Sequence, residues 1–231
     1  MIWQIPRMWD EGDVWIIGGG PSIPREFDIP DTIIKAVVSR RASPNIYTPY
    51  LAAIYDKHVI GINVAYLLGD WIDLVFFGDK GFFLAHQEGL SKFNGLRVSC
   101  HPTANDIDWV KFLPRDKEHR FGISSSSRMV NWNGNSGAAA ISIAAHAGAR
   151  RIILLGFDMK LNETKDQHWH DVYGRGKARD EKKIMKMPFH RHLRAFPEIA
   201  KDAKRMGIEI LNASPDSKIE CFRKVSVKEL L

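Results

Sequence analysis

The chain has 231 residues, with 33 Lys and Arg against 27 Asp and Glu for a formal net charge of +6, and is 45% hydrophobic and 26% charged. That composition excludes a disordered tail protein, a collagen-like fibre and a disulfide scaffold, and the length suits one domain able to bury a core. The longest apolar run, Ala138 to Ala147, is broken by Ser142 and His146 and is too short to cross a bilayer. The opening Met1-Ile2-Trp3-Gln4-Ile5-Pro6-Arg7 has no charged segment leading into an apolar one, so a cytoplasmic protein is expected. Cys100 and Cys221 lie far apart in sequence and read as reduced thiols.

In chain order, Val14–Ile17, Val59–Asn63, Leu74–Phe77, Leu96–Ser99, Arg151–Leu155 and Ile208–Leu211 read as strands, most of them rich in β-branched or aromatic residues. Between them, Val64–Leu68, Gly81–Leu90, Ser136–Ala147 and His192–Met206 carry helical spacing, the third being Ala-rich with Ser136 as its N-cap. This alternation predicts an α/β fold: a single Rossmann-like domain over 1–231, with a mostly parallel sheet and helices on both faces. Two stretches fit neither period, 40–57 and 159–188. The second is long and polar, so the lid of an active site is expected across 159–190.

In an open parallel sheet, ligands meet the residues just beyond the carboxyl ends of the strands. Four such places carry chemistry here. After the first strand, Gly18-Gly19-Gly20-Pro21-Ser22 lets backbone N–H groups approach an anion and adds a hydroxyl, although a tight strand-to-helix turn also needs glycine. It is neither a G-x-G-x-x-G fingerprint nor a P-loop, which disfavours ordinary dehydrogenase and kinase readings. Asn63 and Asp79 each follow a strand where a ribose or base would be met, and each would equally serve as a helix cap or Asx-turn. Asn135-Ser136-Gly137 opens the Ala-rich helix as a ready anion site, and Gly156-Phe157-Asp158 ends the next strand.

Together these residues resemble the bacterial sialyltransferases that use CMP-sialic acid. They are also similar in plan to archaeal 6-hydroxymethyl-dihydropterin pyrophosphokinase-like proteins, over residues 14 to about 217. The resemblance implies that Gly18, Gly19, Gly20, Pro21, Ser22 and Asn63 hold a nucleotide and that Ser136 and Gly137 meet the CMP part. A lid histidine, matched to His190, then acts as general base. The family's lid carries several tyrosines near the phosphate, whereas this one reads His168-Trp169-His170-Asp171-Val172-Tyr173 and offers Tyr173 alone. A Gly-Phe-Asp strand end followed by His-Trp-His looks more like phage- or prophage-encoded relatives, which would place the protein in a host cytoplasm.

On this reading Gly156 and Tyr173 join the nucleotide site, Asp79 orients donor groups, and Asp158, His168 and His170 stand with His190 as catalytic candidates. The lid cations Arg175, Lys177, Arg179, Lys182 and Lys183 would offset the charge of a leaving nucleotide. The partners are a nucleotide or nucleotide-sugar donor and an unspecified acceptor, with a homo-oligomer open, and glycosyl transfer requires no cofactor. A runner-up is diphosphate transfer from ATP to a pterin-like alcohol, with Mg²⁺ held by Asp79 and Asp158. A third is a non-catalytic phage protein that sequesters a nucleotide.

The pairs His168-x-His170 and His190-x-His192 match no strong zinc spacing, so loop histidines are expected in place of a metal site. Trp132 and the pairs Phe76-Phe77 and Phe82-Phe83 are read as core more than as stacking platforms. Neither an aromatic-basic stripe nor a helix-turn-helix pattern supports a nucleic-acid module.

Overall fold

The computed structural model describes residues 2–173 and 187–231. Its eight strands form one sheet in the order β5-β4-β3-β2-β1-β6-β7-β8, and every pairing is parallel. The strands are β1 (Asp13–Ile17), β2 (His58–Ile62), β3 (Leu74–Phe77), β4 (Leu96–Ser99), β5 (Lys111–Phe112), β6 (Arg151–Leu155), β7 (Glu209–Asn212) and β8 (Arg223–Lys224). The chain steps outward from β1 to β5 and then returns to lay β6 against the free side of β1, with Ile17 beside Leu155. Connections leave β1 and β6 in opposite directions, which opens a crevice beyond their carboxyl ends.

Alternation along the strands builds two cores. Val14, Ile16, Ile60, Leu74, Phe76, Ile152 and Leu154 pack on one face, and Trp15, Ile17, Val59, Val75, Phe77, Ile153 and Leu155 on the other. Both faces are covered, so the strands read as near-continuous apolar runs. Each fully buried Ile or Leu contributes about 1.5–3 kcal/mol relative to exposure.

On the first face lie α4 (Ser136–His146) and α6 (Phe196–Arg205); on the second lie the short α1 (Ile23–Glu26), α2 (Asp31–Val38) and α3 (Lys80–Lys92). A short helix, α5 (Phe189–Leu193), precedes α6. The small side chains of Ala138, Ala139 and Ala140 let α4 lie close over β1, β2, β3 and β6. Among the described residues no helix is long and apolar enough to cross a membrane.

β3, β4 and β6 have the bounds expected from sequence, and the sheet is wholly parallel where a mostly parallel one was expected. The strand expected over Val59–Asn63 stops at Ile62, because Asn63 adopts a φ of 51° and begins a 3-10 helix, Asn63–Leu68. The N-cap of α4 is Asn135 and not Ser136: its backbone is extended and its side chain accepts from the Ala138 N–H at 2.9 Å.

The helix expected over His192–Met206 is two helices. Pro197 near the start of α6 cannot donate to Leu193, so α5 ends there. The unassigned 40–57 region contains a 3-10 helix, Pro44–Ile54, and α2 escaped notice because Thr32, Ile33, Ile34, Val37 and Val38 give it the composition of a strand. Cys100 is buried, Cys221 is exposed, and both are free thiols.

Candidate functional site

Beyond the carboxyl ends of β1, β2, β3 and β6 lies a cavity of about 890 Å³ at the reversal of strand order. The structure brings to its wall Gly18, Gly19, Gly20, Asn63, Asp79, Asn135, Ser136, Gly137, Gly156, Asp158, His168, His170 and Tyr173. These come from six separate stretches of chain. Pro21 instead lines a second cavity of about 740 Å³, which shares Gln167, His168, His170 and Tyr173 with the first. Ser22 sits behind the wall, and His190 is exposed on α5 outside it, whereas His192, two residues on, is part of it.

The glycine turn is held by packing as well as poised for a ligand. A methyl group on Gly20 would overlap the Asp158 carboxylate and come within 2.6 Å of the Gly156 carbonyl. One on Gly18 would lie 2.8 Å from that carbonyl and 3.1 Å from the Phe157 ring, which Gly137 meets from the other side. The glycines therefore let β1, β6 and the start of α4 close on Phe157.

Asp158 is 3% exposed and accepts from the Ser22 hydroxyl at 2.9 Å, while Ser22 also bonds Ser214 at 3.1 Å. Burial raises the Asp158 pKa above the ordinary carboxylate range, and the Ser22 hydrogen bonds oppose that rise.

The segment after β6 docks on this turn. The Trp169 indole N–H donates to the Gly18 carbonyl at 2.9 Å, its backbone N–H to the Gly19 carbonyl at 3.1 Å, and its own carbonyl accepts from Tyr47 at 3.2 Å. His168 Nδ1 donates to the Gly19 carbonyl at 3.1 Å, which holds the ring against the glycine turn. The His168 and His170 rings stack with centroids 5.3 Å apart. His170 is buried and its Nδ1 accepts from the Val172 N–H at 3.2 Å; burial, reinforced by His168 and His86, holds its pKa well below the usual histidine value. His192 is pushed down to about 4, chiefly by burial.

The Ser136 hydroxyl and the Asn135 side-chain amide nitrogen at the mouth of α4, and the Asn63 side-chain oxygen beyond β2 on the same cavity wall, are buried and have no hydrogen-bond partner among the described residues. Ser136 is 5% exposed, and the first two N–H groups of an α-helix have no acceptor within the helix. Buried polar groups are normally paired, so such a cluster at a positive helix end marks a place for an anion bearing several acceptors and donors.

Sequence reasoning missed half of the wall. Arg115, Arg120, Lys160 and Arg191 face the cavity against the two carboxylates Asp79 and Asp158, giving it a positive interior. The expected lid cations, Arg175, Lys177, Arg179, Lys182 and Lys183, lie outside the described residues. His86 is a further member: it stacks on Phe82 with centroids 4.5 Å apart, bonds the Tyr66 hydroxyl through Nδ1 at 3.0 Å, and has its pKa lowered by burial. Phe76, Phe77 and Phe83 are core as expected, and Trp132 is the one expected core ring that lies half-exposed in the cavity wall. Among the described residues no three His, Cys, Asp or Glu side chains are grouped so as to hold a metal ion.

No family model and no curated protein matches the chain. Among solved structures, the MAf glycosyltransferase from Magnetospirillum magneticum AMB-1 has a similar fold with a TM-score of 0.61 at 14% identity, over 100% of this chain and 36% of that one. The chain thus spans little more than a third of that protein's length. The sialyltransferase CstII from Campylobacter jejuni, in complex with the substrate analogue cytidine-5'-monophosphate, gives a TM-score of 0.49 at 14% identity, over 94% of this chain and 86% of that one. The same enzyme with CMP-3FNeuAc gives 0.47 at 13% identity, over 93% and 86%. At these identities the first likeness establishes a shared α/β fold.

Proposed function

We propose that the chain is a glycosyltransferase-like enzyme whose crevice takes a nucleotide-activated sugar of the CMP-sialic-acid type. The observation that carries this reading is the set of buried polar atoms without a partner among the described residues, those of Ser136 and Asn135 at the mouth of α4 and of Asn63 beyond β2, on the wall they share with the glycine turn at the reversal of the sheet. The sequence resemblance and the fold shared with a protein named as a glycosyltransferase point the same way.

In this reading the first N–H groups of α4 and the Ser136 hydroxyl receive the phosphate, and Asn63 and Asp79 meet hydroxyls of the ligand. The acceptor oxygen attacks the anomeric carbon, the bond from that carbon to the phosphate oxygen breaks, and the nucleotide leaves with the electron pair. The acceptor's proton passes to a histidine. His168 is the candidate, because it lines the crevice and its Nδ1 is held to the Gly19 carbonyl of the glycine turn. His190 is outside the cavity wall, and His192, at about 4, is a weak base at neutral pH. Arg191, Arg120 and Lys160 offset the charge of the departing phosphate.

A shared Mg²⁺ fits these residues poorly, since Asp158 is buried with one oxygen committed to Ser22. Diphosphate transfer is therefore the less favoured chemistry.

Thermal unfolding with CMP, UDP, GDP and cytidine tests the reading. A nucleotide at a hundred times its Kd adds about 2.7 kcal/mol of stability, which for a domain of this size is roughly 5–10 °C in Tm. CMP is expected to give that shift and cytidine much less. The absence of a shift with every nucleotide would overturn the assignment.

A further inference from the structure

The end of the cavity over β3 and β4 is built on a different principle from the end over β1 and β6. Arg115 stands where the backbone forms an isolated parallel bridge with Val130. Its guanidinium lies 3.7 Å from the centre of the Trp132 ring. Nη2 donates to the Gly78 carbonyl, just past β3, at 2.6 Å, and Nε donates to the Cys100 sulfur, just past β4, at 3.3 Å. Gly78 makes the arrangement possible, because a Cβ there would overlap the indole of Trp132.

A guanidinium carries five N–H donors, and these contacts occupy two of them. Arg115 belongs to no ion pair among the described residues, although it is half-buried and faces the cavity. The other cavity cations are less fixed: Arg120 and Arg191 are exposed, and Lys160 faces Asp216 at 4.0 Å.

The sheet gives the separation of the two ends. Phe157, against which α4 begins, follows β6, whereas the Arg115 guanidinium is tied to the ends of β3 and β4. From the end of β6 these are three and four strand spacings, or about 14 to 19 Å. In a donor of the CMP-sialic-acid type the carboxylate is on the carbon that bears the phosphate oxygen, so it stays at the α4 end. An anion at Arg115 belongs to the second substrate.

We infer that Arg115, stacked on Trp132 and tied to the ends of β3 and β4, binds a carboxylate of the acceptor, so that the acceptor is an acidic sugar. A planar fork matches a carboxylate in two parallel hydrogen bonds. Asp79, on the same wall, repels a doubly charged phosphate more strongly than a carboxylate. The role as acceptor site rests on the proposed glycosyl transfer; the carboxylate site itself does not.

Calorimetric titration of the full chain, alone and saturated with CMP, with galacturonate, galactose and galactose 6-phosphate tests this. Galacturonate is expected to bind at least tenfold more tightly than galactose. Arg115→Met is expected to abolish that preference, and Arg115→Lys, which keeps the charge without the fork, to retain a small part of it. Arginine modification of the unaltered protein by phenylglyoxal serves if a variant does not fold, since galacturonate is expected to protect Arg115 and galactose not to.

Equal affinity for acid and neutral sugar, no sugar binding, or no protection of Arg115 would overturn the site. Tighter binding of galactose 6-phosphate would overturn the choice of carboxylate. An acid preference in a protein that binds no CMP would leave the site standing and remove the transfer reading.

Discussion

The two ends of the cavity are made by different means. At the β1 and β6 end, short contiguous runs do the work: Gly18–Gly20, Gly156–Asp158 and Asn135–Gly137 each turn a strand or open a helix and present backbone to the crevice. At the β3 and β4 end, single side chains converge, Arg115 and Trp132 from the connection between β5 and α4 and His86 from α3, each steadied by a neighbour. The first end is rigid because a missing Cβ lets backbone meet backbone. The second is rigid because aromatic rings and carbonyls hold a cation.

The largest expected effect concerns how the first end is closed. Trp169 is 1% exposed and bonds Gly18, Gly19 and Tyr47. Trp169→Ala is expected to cost about 3–5 kcal/mol, read as a fall in Tm with loss of nucleotide binding. A cost below about 1 kcal/mol would show that this segment is not part of the rigid end.

Next is Gly20→Ala, where a methyl group meets the buried Asp158 carboxylate and the backbone carbonyl of Gly156. About 1–3 kcal/mol or more is expected from chemical denaturation, as for overpacking in a core. An unchanged midpoint would mean the turn relaxes freely, and the contrast with the second end would dissolve.

Titration of the buried groups gives a smaller, signed effect. Asp158 has a raised pKa, so the folded state binds its proton more readily than the unfolded chain does; that contribution is present at low pH and is lost as pH rises through the folded-state value. Asp158→Asn is expected to flatten this fall in stability, provided the amide keeps the Ser22 bond. His192, at about 4, and His170, well below the usual 6.5, act the other way: their contribution is present above 6.5 and is lost progressively as pH falls toward 4. His192→Gln is expected to flatten the acid limb of a plot of Tm against pH. An unchanged limb would show that burial of this ring does not shape the acid response.

How much was legible in the sequence follows the same division. The fold could be read because a parallel sheet covered on both faces leaves apolar runs, and β3, β4 and β6 show them plainly. The glycine turn and the Asn135-Ser136-Gly137 helix start could be singled out because a strand end followed by small or polar residues is a local pattern. Arg115 gave no signal: it follows Pro114 in an irregular loop, and only the tertiary fold carries it to Gly78 and Cys100. Trp132 was visible as a ring but not as the surface beneath a guanidinium. His190 and His192 show the limit most sharply, since two residues of separation on the short helix α5 put one ring in solvent and the other in the wall, and no alignment of periods fixes a helix of five residues.

The smallest expected effect separates crowding from openness within the second end. Gly81, the second residue of α3, lines the cavity and has no heavy atom within 4 Å of where a Cβ would stand, whereas a Cβ on Gly78 would strike Trp132. Gly81→Ala is therefore expected to raise stability by about 0.4–1 kcal/mol, because alanine narrows the unfolded ensemble at no steric cost. Gly78→Ala is expected to displace the indole and with it the guanidinium. Chemical denaturation and galacturonate titration of both variants give the comparison directly. If Gly78→Ala keeps the acid preference, Trp132 does not hold Arg115 in place, and the second end is a mobile cation and not a built site. If Gly81→Ala loses stability, the open wall of α3 is needed as glycine for a reason other than space.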